Sequence, residues 1–220
     1  MTKRSQVEIE RKYDVDEGAV PPRLVGAGPV ALESDPETVE LVAVYFDTPG
    51  LVLAHNRIAL RVRHGGGDAG WHVKLPGDEG RTELHWPLGD AGDAEPGTER
   101  PPTDVVDAVR QFTGDAPLEP LARVTNTRTT VILQDAAGFA IAELCDDHVR
   151  SEGLRGPQDP SSVRRWREWE VELLEAAPDT RERRTALLDD IEARVLEAGA
   201  RVSASSSKLA RALGVDTLGG

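Results

Sequence analysis

Two carboxylates and one ammonium stand at alternate positions near the start of the chain, in the stretch VEIERKYDV (residues 7–15). Successive side chains of a β-strand point to opposite faces, so a strand here would place Glu8, Glu10 and Lys12 on one face. Clustered carboxylates bind hard divalent cations, and an ammonium binds phosphate oxygens. For this stretch alone, a solvated face of an antiparallel sheet is the simpler interpretation.

The same separation of faces recurs in four later segments. In each of them apolar side chains alternate with charged or histidine side chains, and not with the mixture of Thr, Ser, Lys and Gln common on solvated strands. These polar faces carry Arg61 and Arg63; His72 and Lys74; Arg81, Glu83 and His85; and Glu168, Glu170 and Glu172. The repetition favours a shared charged interior over separate solvated faces.

A charged interior would need a ligand, because unpaired buried charges are costly. If the strands close into a barrel with these faces inward, Arg and Lys side chains would bind the oxygens of a polyanion. The carboxylates would hold Mg²⁺ or Mn²⁺ through oxygen ligands. The charged faces therefore predict a site for a phosphate-rich anion together with a metal.

Strands dominate the predicted secondary structure, and glycine-rich connections favour an antiparallel meander. The predicted strands are 6–15, 39–47, 57–64, 70–75, 81–88, 121–134, 138–149 and 165–175. Three segments have helical spacing and end at a glycine, and these are 102–114, 179–199 and 203–214.

The composition limits the partners of the chain. Its 220 residues include 39 acidic and 26 basic side chains, for a net charge of −13. A negative long-range field repels nucleic acid and anionic membranes, so we expect neither as a partner. The single cysteine, Cys145, excludes a disulfide within the chain, and no run approaches the roughly 20 apolar residues of a membrane span. These features predict a protein of the reducing cytoplasm.

Taken in order, the charged segments resemble the motifs of the CYTH superfamily, the triphosphate tunnel metalloenzymes. This superfamily includes thiamine triphosphatases, inorganic triphosphatases and class IV adenylate cyclases. Glu-x-Glu-x-Lys alone is a weak pattern, but the ordered set covers nearly the whole chain. Its other members are YFDT (45–48), LRVR (60–63), VKL (73–75), RTE (81–83), Arg128, AELCDD (142–147), EWEVEL (168–173) and SSKL (206–209).

The resemblance implies an α+β fold, a closed eight-stranded antiparallel β-barrel that forms a tunnel with flanking helices. It would occupy residues 1–214 as a single domain, followed by a tail over 215–220. The resemblance implies that the triphosphate is held by Lys12, Arg61, Arg63, Lys74, Arg81, Arg128 and Lys208. It implies that one or two Mg²⁺ or Mn²⁺ ions are held by Glu8, Glu10, Asp147, Glu170 and Glu172. Asp146 is the alternative to Asp147, and Glu168 is either a ligand or a group at the tunnel mouth.

We therefore expect a metal-dependent hydrolase that cleaves the terminal phosphoanhydride of inorganic triphosphate, thiamine triphosphate or a nucleoside triphosphate. Its catalytic residues would be Glu8, Glu10, Lys12 and Lys74, acting by positioning and charge neutralisation on an in-line attack by water. Two alternatives stay open, a class IV adenylate cyclase and a non-catalytic module that binds polyphosphate. The phosphate-binding residues would be common to all these substrates, so the pattern does not choose among them, and it predicts no oligomeric state.

Overall fold

The computed structural model describes residues 3–88, 96, 98–155, 163–205 and 207–214. Within these residues eleven strands form one antiparallel sheet accompanied by four helices, none of them long and apolar enough to cross a membrane. The strands are β1 (Arg4–Glu8), β2 (Glu10–Asp14), β3 (Leu32–Glu33), β4 (Glu37–Asp47), β5 (Ala59–His64), β6 (Gly70–Pro76), β7 (Arg81–Pro87), β8 (Glu119–Gln134), β9 (Ala140–Gly153), β10 (Arg164–Leu173) and β11 (Arg201–Val202). The helices are α1 (Val52–His55), α2 (Thr103–Thr113), α3 (Arg181–Glu197) and α4 (Lys208–Leu213).

The strands follow the order β1-β7-β6-β5-β4-β8-β9-β10-β2-β11 across the sheet, and β3 pairs with β8. The sheet curls around a cavity, and the predicted antiparallel sheet with a few helices is confirmed. Closure as an eight-stranded barrel and the single domain over 1–214 stay predictions. The predicted tail at 215–220 lies outside the described residues.

The N-terminal segment pairs with two different neighbours. β1 pairs with β7, with Glu8 opposite Arg81, whereas β2 pairs with β10, with Lys12 opposite Glu170. Only Ile9 separates β1 from β2, so the alternating stretch that predicted one strand is divided at this residue. Because of this division, the first part of the N-terminal segment pairs with β7 and the second part pairs with β10.

The long predicted helix packs on the outer face of the sheet. Leu187, Ile191 and Val195 of α3 are buried against Tyr13 and Trp169. Their spacing of three or four residues is the spacing that predicted the helix. A second outer cluster joins α1 and α2 to strands β4 to β7, and its buried members include Leu53, Leu60, Val62, Trp71, Val73, Trp86, Val105 and Val109. These apolar faces leave the charged faces of the same strands pointing into the cavity.

One part of the inner face is apolar. Ala43, Val124 and Val149 on β4, β8 and β9 form a buried cluster with Leu209 and Ala212 of α4. Helix α4 therefore packs against the inner face of the curled sheet, whereas α1, α2 and α3 pack against its outer face. The reason is that these three strands lack a charged side chain at those inner positions.

The YFDT motif has a structural role. The carboxylate of Asp47 is fully buried and accepts hydrogen bonds from the backbone N–H groups of Leu53 and Ala54, each at 2.9 Å. These are amide groups of the first turns of α1, which have no partner within the helix. Helix α1, β3 and β11 were not predicted because elements of two to four residues carry no periodic pattern.

Candidate functional site

The inner face of the sheet lines a cavity of about 420 Å³, a size suited to a small molecule. The basic side chains on its wall are Lys12, Arg61, Arg63, Lys74, Arg81, Arg128 and Lys208. The acidic side chains are Glu8, Glu10, Glu37, Asp68, Glu83, Glu143, Glu170 and Glu172. The structure thus brings to one cavity every residue predicted to bind phosphate and all predicted metal ligands except Asp147, which lies in the wall behind Arg128.

The first charged face is an interior wall. Lys12 Nζ lies 2.7 Å from Glu10 Oε2 and also contacts Glu170 on the paired strand. Lys74 Nζ lies 2.6 Å from Glu8 Oε2. Burial disfavours the charged form of Lys12, but the negative charges of Glu10 and Glu170 have the larger effect and raise the pKa of the ammonium. The ammonium of Lys12 is therefore held in its charged form by carboxylates of the same wall.

Two arginines on β5 form a basic side of the cavity. The Nε atoms of Arg61 and Arg63 are buried and have no hydrogen-bond partner within the described residues. Arg61 Nη2 lies 3.8 Å from Glu83, and Arg63 contacts Asp68 of the β5–β6 connection. Burial and the positive charges of Arg61 and Arg128 lower the pKa of Arg63 to about 9. An anion would relieve this crowding, because it supplies both acceptors and negative charge.

Glu83 was not predicted as a site residue, although it lies in the RTE segment. It is buried, its Oε1 lies 3.7 Å from Lys74 Nζ, and it forms a 3.0 Å hydrogen bond with His72 Nδ1. Burial opposes its ionisation, but the hydrogen bond with His72 and the charges of Lys74 and Arg61 outweigh it and hold the pKa of Glu83 well below its usual range. The sign of its role in the sequence was the alternation of side chains along β7, which gives Glu83 the same face as Arg81.

Three carboxylates on β9 and β10 converge on one ammonium. One oxygen from each of Asp147, Glu168 and Glu170 lies within 4.8 Å of the other two, and we call these residues the carboxylate triad. Lys208 Nζ lies 2.7 Å from Asp147, 2.6 Å from Glu168 and 2.7 Å from Glu170. Burial opposes the charge on Lys208, but the triad outweighs it and raises the pKa of the ammonium well above its usual value. Arg128 Nε and Nη2 donate to both oxygens of Asp147 at 2.7 and 2.6 Å.

The register of β9 separates the two candidate aspartates. Asp147 lies opposite Glu168 and is fully buried on the inner face. Asp146 points to the outer face, where its oxygens accept from the Arg167 guanidinium at 2.9 and 2.7 Å and from Trp169 Nε1 at 3.1 Å. The structure therefore places Asp147 beside the cavity and Asp146 in an outer hydrogen-bond network.

The residues predicted to bind metal fall into two groups. Asp147 and Glu170 belong to the carboxylate triad, whereas Glu172 lies opposite Glu10 on β2. Burial and the negative charges of Glu8 and Glu10 raise the pKa of Glu172 to about 8. The third member of the triad is Glu168, whose side chain is buried.

The carboxylate triad fits a hard divalent cation by its donor chemistry. Mg²⁺ and Mn²⁺ prefer oxygen ligands, and carboxylates are the usual protein donors. The three side chains come from adjacent paired strands, which place their oxygens close together. In the structure the ammonium of Lys208 lies among these oxygens.

Arg81 lines the cavity, but its guanidinium binds carbonyl oxygens of the backbone. Its Nη2 donates to the carbonyl oxygens of Arg57 at 2.9 Å and Lys74 at 3.4 Å. The adjacent Gly80 approaches β1 so closely that a Cβ there would lie 2.0 Å from the carbonyl oxygen of Glu8. These two residues therefore help to position Glu8 at the start of the charged wall.

Asn126 on β8 is a further cavity residue that was not predicted. It is 5% exposed, and its Oδ1 has no hydrogen-bond partner in the described part of the chain. Its neighbours in register are Leu41 and Val149, which offer no side-chain partner. Leaving a buried carbonyl oxygen unpaired costs about 1–3 kcal/mol, so a hydrogen-bond donor or a cation in the cavity is a suitable partner. The sign of its role in the sequence was its position two residues before Arg128, because residues two apart in a strand share a face.

Comparison with known proteins gives matches over most of the chain. Residues 6–192 match the family described as the CYTH domain. Two uncharacterized proteins of Mycobacterium tuberculosis, Rv2226 of strain H37Rv and MT2285 of strain CDC 1551, are each 41% identical over 226 residues. These matches cover 97% of this chain but 41% of each relative, so the chain spans less than half the length of the curated relatives it matches.

Solved structures share the fold at low sequence identity. A proposed adenylate cyclase from Bacillus halodurans has 20% identity and a TM-score of 0.62, with 94% of this chain and 97% of that chain covered. A proposed adenylate cyclase from Vibrio parahaemolyticus has 14% identity and a TM-score of 0.50, with 90% and 91% covered. The curled antiparallel sheet is therefore an architecture seen in other proteins.

Proposed function

This chain belongs to the CYTH domain family, as its motifs indicated, and from that premise we propose that it is a triphosphatase dependent on a divalent metal. It would cleave the terminal phosphoanhydride of inorganic triphosphate, thiamine triphosphate or a nucleoside triphosphate. Its partners would be these small molecules or polyphosphate, and not nucleic acid or membranes. The expected compartment is the cytoplasm.

The observation that carries this proposal is the basic side of the cavity. Arg61 and Arg63 have buried Nε atoms that find no partner among the described residues, and the pKa of Arg63 is lowered by burial and by neighbouring guanidinium groups. Phosphate oxygens are charged and accept several hydrogen bonds, so they match this unsatisfied group of donors. Basic side chains from β2, β5, β6, β8 and α4 would contact more than one phosphate of a chain.

The balance of charge supports a divalent cation beside the anion. Of the described side chains, seven basic and eight acidic ones line the cavity, and Asp147 and Glu168 of the triad add two more carboxylates in its wall. A triphosphate would add further negative charge, so cations must accompany it. The carboxylate triad suits Mg²⁺ or Mn²⁺, with Glu8, Glu10 and Glu172 as a second group of oxygen ligands. When bound, such an ion would neutralise charge on the phosphate chain and polarise a phosphoryl oxygen.

The residues of this chain would act mainly by positioning. Arg61, Arg63 and Arg128 would hold the phosphate oxygens, and Lys12 and Lys74 would stabilise the charge that develops on the leaving phosphate groups. Water would attack the terminal phosphorus in line as the bridging P–O bond breaks, and a cavity carboxylate would accept the proton of the water. No nucleophilic side chain is needed.

We also propose that the sheet closes as an eight-stranded tunnel. The pairing of β1 with β7 and of β2 with β10 supports this, because β1 and β2 are consecutive parts of one segment. Closure would leave residues 4–14 without a free edge. Hydrogen exchange tests it, since the backbone amides of both strands would then be as protected as those of β8 and β9.

A turnover panel tests the proposed activity. Inorganic triphosphate, thiamine triphosphate, ATP and long polyphosphate are incubated with Mg²⁺ or Mn²⁺, and phosphate, pyrophosphate and cyclic AMP are measured. We expect phosphate release from at least one triphosphate, and its loss on addition of a chelator. Glu10→Ala should lower turnover about a hundredfold or more while triphosphate binding is kept. Glu17→Ala is the matched control, because its side chain is 84% exposed and it should not change turnover.

The other outcomes separate the alternatives. Cyclic AMP and pyrophosphate from ATP, without phosphate release, would identify a cyclase. Binding of triphosphate without turnover under either metal would identify a polyphosphate-binding module. Absence of both binding and turnover would contradict all three functions.

A further inference from the structure

We infer that Lys208 is an internal cation that keeps the carboxylate triad closed, so that a divalent cation enters the triad only when the ammonium, and with it α4, moves away. The inference rests on the proposed function only in taking the triad as the metal site. It adds a conformational step in which the chain itself competes with the metal.

The first support is the geometry of the ammonium. Lys208 Nζ has three donors, and it meets one oxygen from each of Asp147, Glu168 and Glu170 at 2.6–2.7 Å. Mg²⁺ would need the same oxygens at about 2.0–2.1 Å, and therefore the same space between them. The ammonium and the metal thus exclude each other. The Lys208 side chain is 10% exposed, so it is held within the wall and does not rest on the surface.

The second support is that α4 is held in place by side-chain contacts. This helix has six residues, too few for independent stability, so its position depends on packing. Its apolar contacts are made mainly by Leu209 and Ala212, and its N-terminal cap lies within the segment itself. Its ion pairs are made by Lys208 and by Arg211, whose guanidinium pairs with Asp14. Breaking the ion pairs of Lys208 therefore removes part of what holds α4 at the inner face.

A consequence is coupling between metal and triphosphate. Phosphate oxygens in the cavity offer Lys208 new acceptors, and the triad loses its internal cation as a result. Triphosphate should therefore tighten metal binding, and by thermodynamic reciprocity the metal should tighten triphosphate binding. The metal alone has to displace the ammonium from the triad. Triphosphate alone has to compete with the triad for the ammonium.

The test measures Mn²⁺ binding by calorimetry in the absence of any phosphate. Lys208→Met keeps the length of the side chain and removes its charge, so it should bind Mn²⁺ at least about tenfold more tightly than the unmodified chain. Lys208→Arg keeps the positive charge and should stay close to the unmodified chain. Equal Mn²⁺ affinity of the unmodified chain and Lys208→Met would overturn the inference.

A second measurement needs no variant and so does not depend on the folding of Lys208→Met. Hydrogen exchange of the α4 amides should accelerate when saturating Mn²⁺ is added, whereas the amides of α3 should not respond. Unchanged protection of α4 would contradict the inference. These measurements involve no turnover, so a chain that binds Mn²⁺ as described but neither binds nor hydrolyses triphosphate would disprove the proposed function and leave this inference standing.

Discussion

At the residue scale the cavity is defined by which polar groups have partners within the protein. Lys12, Lys74 and Lys208 are each paired with carboxylates, so their charges are balanced without a ligand. Within the described residues Arg61 keeps an unpartnered Nε, and Asn126 an unpartnered amide oxygen. Both of these groups belong to side chains that line the cavity, which is the property expected of a ligand site and not of a packed interior.

Replacement of Asn126 separates stability from binding. Asn126→Leu removes a buried amide that lacks a partner, so the free energy of unfolding should rise by about 1 kcal/mol. Triphosphate binding should weaken, because the phosphate oxygens lose the amide N–H₂ donor of a side chain that lines the cavity. Urea unfolding and calorimetry measure the two effects.

Ser151 supplies the matched control for Asn126. Its Oγ is also buried and unpartnered within the described residues, but Ser151 is not among those that line the cavity. Ser151→Ala should therefore leave triphosphate affinity unchanged. A loss of stability in Asn126→Leu, or unchanged binding, would contradict a ligand role for the amide.

At the element scale the site depends on how connections approach neighbouring strands. The β6–β7 connection comes so close to β1 that Gly80 leaves no room for a side chain beside the backbone of Glu8. On the opposite side, α4 brings Lys208 to the triad. The charged wall is therefore assembled by contacts between elements distant in sequence.

Gly80→Ala tests the first of these contacts. The added Cβ would lie 2.0 Å from a backbone oxygen, so β1 or the connection must shift, at a cost of about 1–3 kcal/mol in the free energy of unfolding. Gly18→Ala is the control, because nothing lies within 4 Å of a Cβ there and its stability should be unchanged or slightly higher. Similar urea midpoints for the two variants would show that the close approach is not required.

At the scale of the whole molecule, a charged interior makes stability depend on ionisation. The pKa values of Glu10, Glu83, Asp147 and Glu170 are all lowered, because the neighbouring basic side chains outweigh burial. A carboxylate with a lower pKa in the folded than in the unfolded state stabilises the fold above its unfolded pKa, near 4. That contribution is lost as the pH falls below this value.

We therefore expect the free energy of unfolding to fall steeply from pH 5 to pH 3. Glu83→Gln should reduce this slope, and at pH 7 it should cost about 3 kcal/mol or more because Lys74 and Arg61 lose a buried counter-ion. Glu79→Gln, at a partly exposed pair with Arg184, should cost about 1 kcal/mol at most. Urea unfolding at each pH measures both variants, and an unchanged slope in Glu83→Gln would argue against its ionised state.

Much of the fold and the site could be predicted from local pattern. The alternation of side chains indicated the strands and their charged faces, because strand geometry gives every second residue the same face. Helical spacing indicated α2 and α3, and the ordered motifs indicated the CYTH family, which is confirmed. The local pattern could not place Glu83 and Asn126 in the site, since their importance lies in partners that they find or lack across the sheet.

The sequence by itself therefore determined the residue types of the site, the faces that carry them and the family, because these depend on neighbours along the chain. Tertiary structure alone decided how they are grouped. The register of β9 and β10 joined Glu168 to Asp147 and Glu170, while Glu172 was left with the N-terminal carboxylates. The inward packing of α4 placed the ammonium of Lys208 among the triad oxygens. Both depend on contacts between distant segments. Glu10 and Lys12, which with Glu8 form the first charged face, became part of an interior only when β10 paired with β2.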